Sequence, residues 1–264
     1  IAQGDGSAGE NSATRTTPQR LDALQGKILR ITPDLNLRPA DDLSANGRYR
    51  IPTSGADPNP FVNVSLTNLK KEIFAYGFRN CHRFSWDPVA NVIVENDIGL
   101  HSWEEVNLVH KGGNYGYSER EGAEQLFVGG LNNGLTGSQV GAVFPSPDAL
   151  IVTGLVSTVT PIYPVALYSH RDGDGISSGF VYRGSLMPGM YGKYIFGDWT
   201  GKIFMLLHPA GTNTWERRTM TIKNSPENFS INSFGEGQNG ELYVLGQNSV
   251  GPKKAGKIYQ LVFE

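Results

Sequence analysis

Short apolar runs alternate with glycine-containing polar turns along most of the chain. One pattern, Gly-Lys-Ile followed by mainly apolar residues, occurs at 26–31, 201–206 and 256–261. Each copy follows another short apolar run that ends near glycine, at 1–5, 194–198 and 243–247. Because self-similarity indicates a repeated supersecondary unit, the pattern predicts a recurring β-hairpin. Runs such as 203–207 are apolar at every position, as in sheets that are covered on both faces.

These hairpins are predicted to be blades of an all-β fold, a β-propeller, in which sheets pack face to face around a centre. Strand clusters form a partial unit at 1–33 and further units near 73–110, 152–208 and 215–263. We expect residues 1–264 to be the C-terminal part of a single propeller domain, with roughly three to four blades and an incomplete first blade. The other blades would precede Ile1 or come from a second chain, because a ring must pair its edge strands. A β-sandwich with repeated hairpins stays open as an alternative.

Helical spacing is confined to 17–25 and 65–73, and both stretches are too short for an independently stable helix. They are predicted to be parts of loops. The segment 122–147 is rich in Gly, Asn and Ser and is predicted to be a long loop between blades that covers one mouth of the ring.

Composition and charge disfavour several classes of binding partner and site. The chain has 264 residues with 33 Gly and 15 Pro, and its formal net charge of -2 disfavours nucleic acid and anionic membranes. Its apolar stretches, such as 149–156, fall far short of the roughly 20 residues that a membrane-spanning helix needs. The lone Cys81 excludes an internal disulfide, and no Cys/His cluster has the spacing of a zinc site.

Two short motifs lack the context that their usual functions need. Residues 4–9 match G-x-G-x-x-G, but the polar residues that follow cannot open a packed helix. The segment 172–175 resembles the start of an EF-hand loop, yet Arg183 stands where that loop needs a bidentate Glu. The five His residues (82, 101, 110, 170 and 208) lie in unrelated sequence contexts, so a Ser/His/Asp hydrolase is not indicated.

Two other segments carry more chemistry. The first, AYGFRNCHRFSWD at 75–87, places basic and hydrogen-bonding groups beside a turn. The second, DIGLHSWEEVN at 97–107, combines a glycine loop with two carboxylates and is followed by KGGNYGY at 111–117. Main-chain carbonyl and carboxylate oxygens that converge on one turn are the ligands that Ca²⁺ requires. The second segment therefore predicts a calcium site.

At these segments the sequence resembles the glucose/sorbosone dehydrogenases, which include quinone-dependent aldose sugar dehydrogenases. The resemblance extends to SSGFVYRGSLMPGMYGKYIFGDWTGKIF at 177–204 and to the two terminal strands. It implies a six-bladed β-propeller that holds pyrroloquinoline quinone (PQQ) and Ca²⁺ at the mouth of the ring. It also implies that a His base, expected before Ile1, helps to take a hydride from the C1 hydroxyl of a sugar.

The resemblance assigns roles to six residues. Arg79 and Asn80 match the pair that contacts the quinone, and a planar guanidinium suits its carboxylate or quinone oxygens. Gly99 and Leu100 match the loop whose carbonyls hold the active-site calcium, with Leu100 in place of a frequent Pro. Glu105 and the carbonyl of Tyr115 match a second, structural calcium site.

The sequence also departs from the family. A Lys and two Arg that face the cofactor in similar enzymes have no counterparts in 198–201 and 228–233. Because each charged hydrogen bond contributes about 1.5–3 kcal/mol, their loss predicts weaker binding of PQQ. Two functions follow as hypotheses. One is a periplasmic or secreted sugar dehydrogenase that passes electrons to an acceptor such as a cytochrome. The other is a non-catalytic propeller that binds a protein or glycan, like the hedgehog-interacting relatives of this family.

Overall fold

The computed structural model describes residues 1–6, 16–126, 140–142, 148–209, 212, 215–248 and 256–262. These residues fall into two compact units, the first comprising 1–82, 100–102 and 109–163 and the second 83–99, 103–108 and 164–264. Within the described ranges there is no α-helix. The helical structure there consists of two 3₁₀ turns, Thr17–Gln19 and Pro188–Met190. No described helix is long and apolar enough to cross a membrane.

The first unit contains short strands in three small sheets. Its strands are β1 (Ala2–Gln3), β2 (Lys27–Leu29), β3 (Asp42–Leu43), β4 (Arg50–Ile51), β5 (Ile73–Tyr76), β9 (Arg120–Glu121), β10 (Glu124–Leu126) and β11 (Val140–Ala142). The sheet orders are β1-β2-β5, β11-β10-β9 and β3-β4, all with antiparallel neighbours. A small hydrophobic core includes two residues of β5, Ile73 and Tyr76. Its other buried members are Leu21, Phe61 and Val152. This core fixes the end of β5.

The second unit contains three larger antiparallel sheets. Its strands are β6 (Arg83–Asp87), β7 (Val92–Asp97), β8 (Trp103–Val109), β12 (Ala166–Ser169), β13 (Ile176–Val181), β14 (Tyr194–Asp198), β15 (Ile203–Leu207), β16 (Glu216–Thr219), β17 (Phe229–Glu236), β18 (Leu242–Asn248) and β19 (Gly256–Gln260). The last residue of β8, Val109, belongs to the first unit. The sheet orders are β12-β8-β7-β6, β13-β14-β15-β16 and β17-β18-β19.

The middle sheet of the second unit is buried on both faces. Phe196 and Phe204 are cross-strand partners and belong to the core shared with the β6–β8 sheet. Ile195 and Ile203 point to the other face and pack with the β17–β19 sheet. Side chains alternate between the faces of a strand, so a strand that is apolar at every position can serve two cores. The predicted double burial of these strands is confirmed.

The sequence repeat corresponds to a structural repeat. The three Gly-Lys-Ile segments form or enter β2, β15 and β19, and each strand pairs antiparallel with the one before it in its sheet. The predicted recurring hairpin and the all-β fold class are therefore confirmed. The stretches 17–25 and 65–73 consist mainly of a 3₁₀ turn, short turns and irregular segments and contain no α-helix, as expected. The expectation of a continuous loop at 122–147 is wrong, because β10 and β11 pair within it. This segment is also predicted to cover one mouth of the ring. Most of it, 127–139 and 143–147, lies outside the described residues, so that part stays a prediction.

Candidate functional site

A glycine turn follows β5 and leads to the predicted quinone-contacting pair. Gly77 has a φ of +84°, which side-chain-bearing residues rarely adopt. A Cβ atom at Gly77 would lie 2.5 Å from Oδ1 of Asn114 and 2.9 Å from the backbone nitrogen of Gly116. Both the backbone conformation and the available space therefore require glycine here. The turn directs the chain toward Arg79 and Asn80.

The turn joins two segments of the first unit, 75–81 and 111–117, that carry parts of the predicted motifs. The backbone N–H of Tyr115 donates to the carbonyl of Tyr76 at 2.8 Å, and that of Tyr117 donates to the carbonyl of Gly77 at 2.9 Å. The rings of Phe78 and Tyr115 stack with their centroids 4.6 Å apart and their planes at 16°. Segments 75–81 and 111–117, well separated in sequence, thus form one local structure.

A buried amide pair, which the sequence does not reveal, stabilises this structure. Gln19 Nε2 donates to Asn114 Oδ1 at 2.9 Å and to the carbonyl of Tyr117 at 2.7 Å. In return, Asn114 Nδ2 donates to Gln19 Oε1 at 2.8 Å. Gln19 lies in a polar stretch with no motif around it, so its role depends on a contact across 95 positions. Buried amides that satisfy each other in this way fix a single arrangement of the surrounding backbone.

Arg79 and Asn80 are half-buried, and their main chain is held by neighbours. The carbonyl of Arg79 accepts the N–H of Asp5 at 2.7 Å, and that of Asn80 accepts the N–H of His82 at 2.8 Å. Gly4 packs against both residues, since a Cβ there would lie 3.4 Å from the Arg79 carbonyl oxygen and from Asn80 Oδ1. Gly4, the first glycine of the G-x-G-x-x-G match, therefore has a packing role.

The first Gly-Lys-Ile copy forms hydrogen bonds with the same turn. The carbonyl of Gly26 accepts the N–H groups of Gly77 at 3.1 Å and of Phe78 at 3.2 Å. Lys27 is fully buried, and its Nζ donates to three main-chain carbonyls at 2.6–3.0 Å, those of Thr17, Pro18 and Gln25. Burial lowers the pKa of Lys27 to about 7. The Cys81 thiol is buried and donates to the Lys27 carbonyl at 3.6 Å, which gives it a packing role.

The predicted calcium loop divides between the two units. Gly99 is buried after β7 in the second unit, and Leu100 is half-buried in the first. The loop that begins at Leu100 is anchored by a buried carboxylate, because Glu121 Oε1 accepts the N–H groups of His101 at 2.9 Å and Ser102 at 2.7 Å. The sequence alone does not single out Glu121. Its position 19 and 20 residues from its partners leaves no local signal.

Glu105 lies on β8 in a buried polar cluster of the second unit. Asn107 Nδ2 donates to Glu95 Oε2 at 3.1 Å and to Glu105 Oε2 at 3.2 Å. Burial, followed by the charge of Asp97, raises the pKa of Glu95 well above its usual value. Glu95 Oε1 and Asn107 Oδ1 are buried without a hydrogen-bond partner among the described residues. Oxygen atoms with unmet hydrogen-bonding capacity next to adjacent carboxyl groups suit a cation such as Ca²⁺.

Side chains alone do not complete a metal site in the described ranges. Within them, no group of three or more His, Cys, Asp or Glu residues is placed to hold a metal ion. Calcium at either predicted site would therefore depend on main-chain carbonyls, as predicted for Gly99, Leu100 and Tyr115, or on amide oxygens. Tyr115 is buried in the first unit, whereas Glu105 belongs to the second.

The two stretches that lack the family's cations have structural roles instead. Asp198 is fully buried, and its carboxylate accepts the Tyr168 hydroxyl at 2.6 Å. It also accepts backbone N–H groups of Asp174, Gly175 and Thr200 at 2.8–3.2 Å. In the other stretch, the Ser230 hydroxyl donates to the Trp199 carbonyl at 2.6 Å. These polar groups stabilise the turn after β14, and no Lys or Arg occurs at either place.

Comparison with known proteins supports the resemblance. The chain is 29% identical over 278 residues to the HIPL1 protein of Arabidopsis thaliana, covering 94% of this chain and 36% of that protein. It is 28% identical over 244 residues to the aldose sugar dehydrogenase YliI of Escherichia coli, covering 92% and 53%. The apo crystal structure of the soluble aldose sugar dehydrogenase from Escherichia coli aligns with a TM-score of 0.62 at 24% identity, covering 96% and 58%.

The chain thus spans about half the length, or less, of the curated relatives it matches. The likeness to the sugar dehydrogenase structure extends over nearly all of this chain and confirms the predicted β-propeller fold class. Independently, the model of the family described as Glucose / Sorbosone dehydrogenase matches residues 5–126, which include Arg79, Asn80, the Gly99 loop, Glu105 and Tyr115. The match over residues 5–126 and the likeness of fold support the predicted resemblance to the glucose/sorbosone dehydrogenases.

Proposed function

We propose that the protein containing this chain is a quinone-dependent sugar dehydrogenase that works in the periplasm or outside the cell. Its substrate would be an aldose, oxidised at the C1 hydroxyl, and electrons would pass to an acceptor such as a cytochrome. The observation that carries the proposal is the Arg79–Asn80 turn. Its backbone is held by the Gly77 conformation, the Gly26 carbonyl and the Gln19–Asn114 amide pair.

That rigidity matters because an enzyme must hold its cofactor without reorganising at each turnover. The Arg79 guanidinium would bind carboxylate or carbonyl oxygens of PQQ, and the Asn80 amide can both donate and accept hydrogen bonds. PQQ, when bound, supplies the two-electron acceptor for the hydride. The proton of the sugar hydroxyl requires a base, and by the family resemblance a His would serve as that base.

Calcium is proposed at two places. The carbonyls of Gly99 and Leu100 would supply the ligands near the quinone, and the Glu121 carboxylate anchors the backbone of the second part of that loop. Glu105 and the Tyr115 carbonyl would supply the structural site. The unpartnered buried oxygens of Glu95 and Asn107 support the second assignment, because a nearby cation would offset the cost of burying them.

The test uses the full-length protein that carries this chain, reconstituted with PQQ and CaCl₂. Aldose-dependent reduction of a redox dye should require both additions. Arg79→Ala should reduce the rate by at least tenfold, because a charged bidentate contact is lost. Arg218→Ala is the matched control: this exposed arginine pairs with Glu216 on β16, and its loss should leave the rate unchanged. No turnover with any aldose would contradict the proposal.

A specific observation favours a second candidate, a non-catalytic propeller that binds a protein or glycan. In the stretches that carry the family's cations, Asp198 accepts the Tyr168 hydroxyl, Ser230 donates to the Trp199 carbonyl, and no residue is basic. A binding protein would retain its partner when Arg79 is replaced by Ala, whereas an enzyme would lose its cofactor. Pull-down of a partner by both wild type and Arg79→Ala, with no dye reduction by either, would support this second candidate.

A further inference from the structure

A cavity of about 410 Å³ in the second unit is lined by every methionine of the chain. The four are Met187, Met190, Met205 and Met220. Ile222, Leu261 and Val262 complete its apolar wall. Cavities of this size accept small organic ligands, and none of these residues takes part in the candidate quinone or calcium sites.

The fold explains why the four methionines meet. Met205 is the cross-strand partner of Arg218, and the N–H of Met220, two positions on, donates to the Ile203 carbonyl at 2.8 Å. Met205 and Met220 therefore share one face of the sheet as diagonal neighbours. Met187 precedes the 3₁₀ turn Pro188–Met190 and Met190 ends it, and the N–H of Met190 donates to the Met187 carbonyl at 2.8 Å, which holds the two residues close together.

The walls can adapt to a ligand. Met187 is buried, whereas Met190, Met205 and Met220 are half-buried and pack against the core between the middle sheet and the β17–β19 sheet. Their side chains each have several rotatable bonds and a polarizable sulfur, which lets them follow the shape of a flexible apolar molecule.

The lining also contains polar residues, which indicate the chemistry of the ligand's head group. Thr219, Thr221, Asn224 and Gln260 supply neutral hydrogen-bonding groups. Lys223 is the one charged residue in the lining, which contains no carboxylate among its described residues. An apolar wall combined with hydrogen-bonding groups and a single positive charge is complementary to an amphiphile with an anionic head.

We propose that this cavity binds a medium-chain carboxylate, an unbranched acyl chain of about 10–12 carbons whose head lies near Lys223. The acyl chain would contact the four thioethers, and the head would accept hydrogen bonds from the threonine and amide groups. The proposal concerns a site separate from the proposed sugar oxidation and does not depend on it.

The cavity carries its own reporters, because the methionines of this chain are all in its wall. In full-length protein labelled with [methyl-¹³C]methionine, decanoate added below its micelle concentration should shift these four methyl signals together and saturably. Since each buried methylene contributes about 0.8 kcal/mol, affinity should rise about fourfold per added carbon from octanoate to decanoate. Absence of saturable shifts, or affinity that does not depend on chain length, would overturn the proposal.

Two matched comparisons locate the ligand. Met220→Trp fills the cavity and should weaken decanoate binding by at least tenfold, whereas Met220→Leu conserves volume and should stay within about threefold of wild type. Lys223→Gln should weaken decanoate about three- to fivefold at low salt, as expected for an exposed charge, and leave decanol unaffected. Equal binding by both Met220 variants would reject the site. An unchanged preference for acid over alcohol in Lys223→Gln would reject the role of the charge.

Discussion

Replacing Gly77 by Ala tests whether the turn before Arg79 is as tightly determined as the contacts indicate. An alanine must adopt the left-handed conformation at φ +84°, which costs about 1–2 kcal/mol. Its Cβ would also come within 2.5 Å of Asn114 Oδ1 and 2.9 Å of Gln19 Nε2. Displacing that buried amide pair costs about 1–3 kcal/mol more. We therefore expect Gly77→Ala to lower the free energy of unfolding by about 2–5 kcal/mol.

Two other glycines separate the contributions. Gly47 also has a left-handed φ, +70°, but a Cβ added there would meet nothing within 4 Å, so Gly47→Ala should cost only about 1–2 kcal/mol. Gly256 has neither constraint, and Gly256→Ala should change stability by less than about 0.5 kcal/mol. Denaturant unfolding of the three variants measures these differences. If Gly77→Ala is no more destabilising than Gly47→Ala, the packing argument for the turn is wrong.

Three further outcomes are expected. Asp148→Asn should lower stability at pH 7 by about 3–5 kcal/mol, because it leaves the buried Arg120 without this carboxylate. Although burial alone would raise it, hydrogen bonds from Arg120 and Tyr163 keep the pKa of Asp148 below its usual value. This stability is present above the unfolded pKa and is lost as the pH falls through the folded one, so wild type and Asp148→Asn should converge below about pH 4 in urea unfolding. Asp198→Ala should lower the unfolding midpoint by removing the acceptor of the Tyr168 hydroxyl and three N–H groups, and Asp198→Asn should restore part of it. Calcium should raise the melting temperature of wild type more than that of Glu105→Gln, which keeps the proposed Gly99–Leu100 site, and an equal rise in both would exclude Glu105 as a ligand.

Much of the fold follows from local pattern. The Gly-Lys-Ile repeat identifies hairpins because each copy carries its own glycine turn and apolar strand. Fully apolar strands such as 203–207 indicate burial on both faces, and the two cores on either side of β15 confirm it. The pairing of the short strands β10 and β11 could not be predicted, since a Gly- and Asn-rich segment gives no apolar alternation to detect.

The site is less accessible from sequence. The motifs at 75–87 and 97–117 indicate where chemistry is concentrated, but the groups that hold them in place are distant in sequence. Gln19 acts across 95 positions and Glu121 across 20. Neither has an unusual neighbourhood, and each becomes recognisable only when the hydrogen bonds of the fold are known. That residues 1–264 are the C-terminal part of one propeller domain stays a prediction.

The most direct measurement is equilibrium binding of PQQ to the full-length protein in the presence of calcium. We expect saturable binding of one PQQ per chain, weakened about 10- to 150-fold in Arg79→Ala and unaffected in Arg218→Ala. Binding that is absent in wild type, or equally strong in Arg79→Ala, would contradict the assignment of the Arg79–Asn80 turn as the quinone-contacting element.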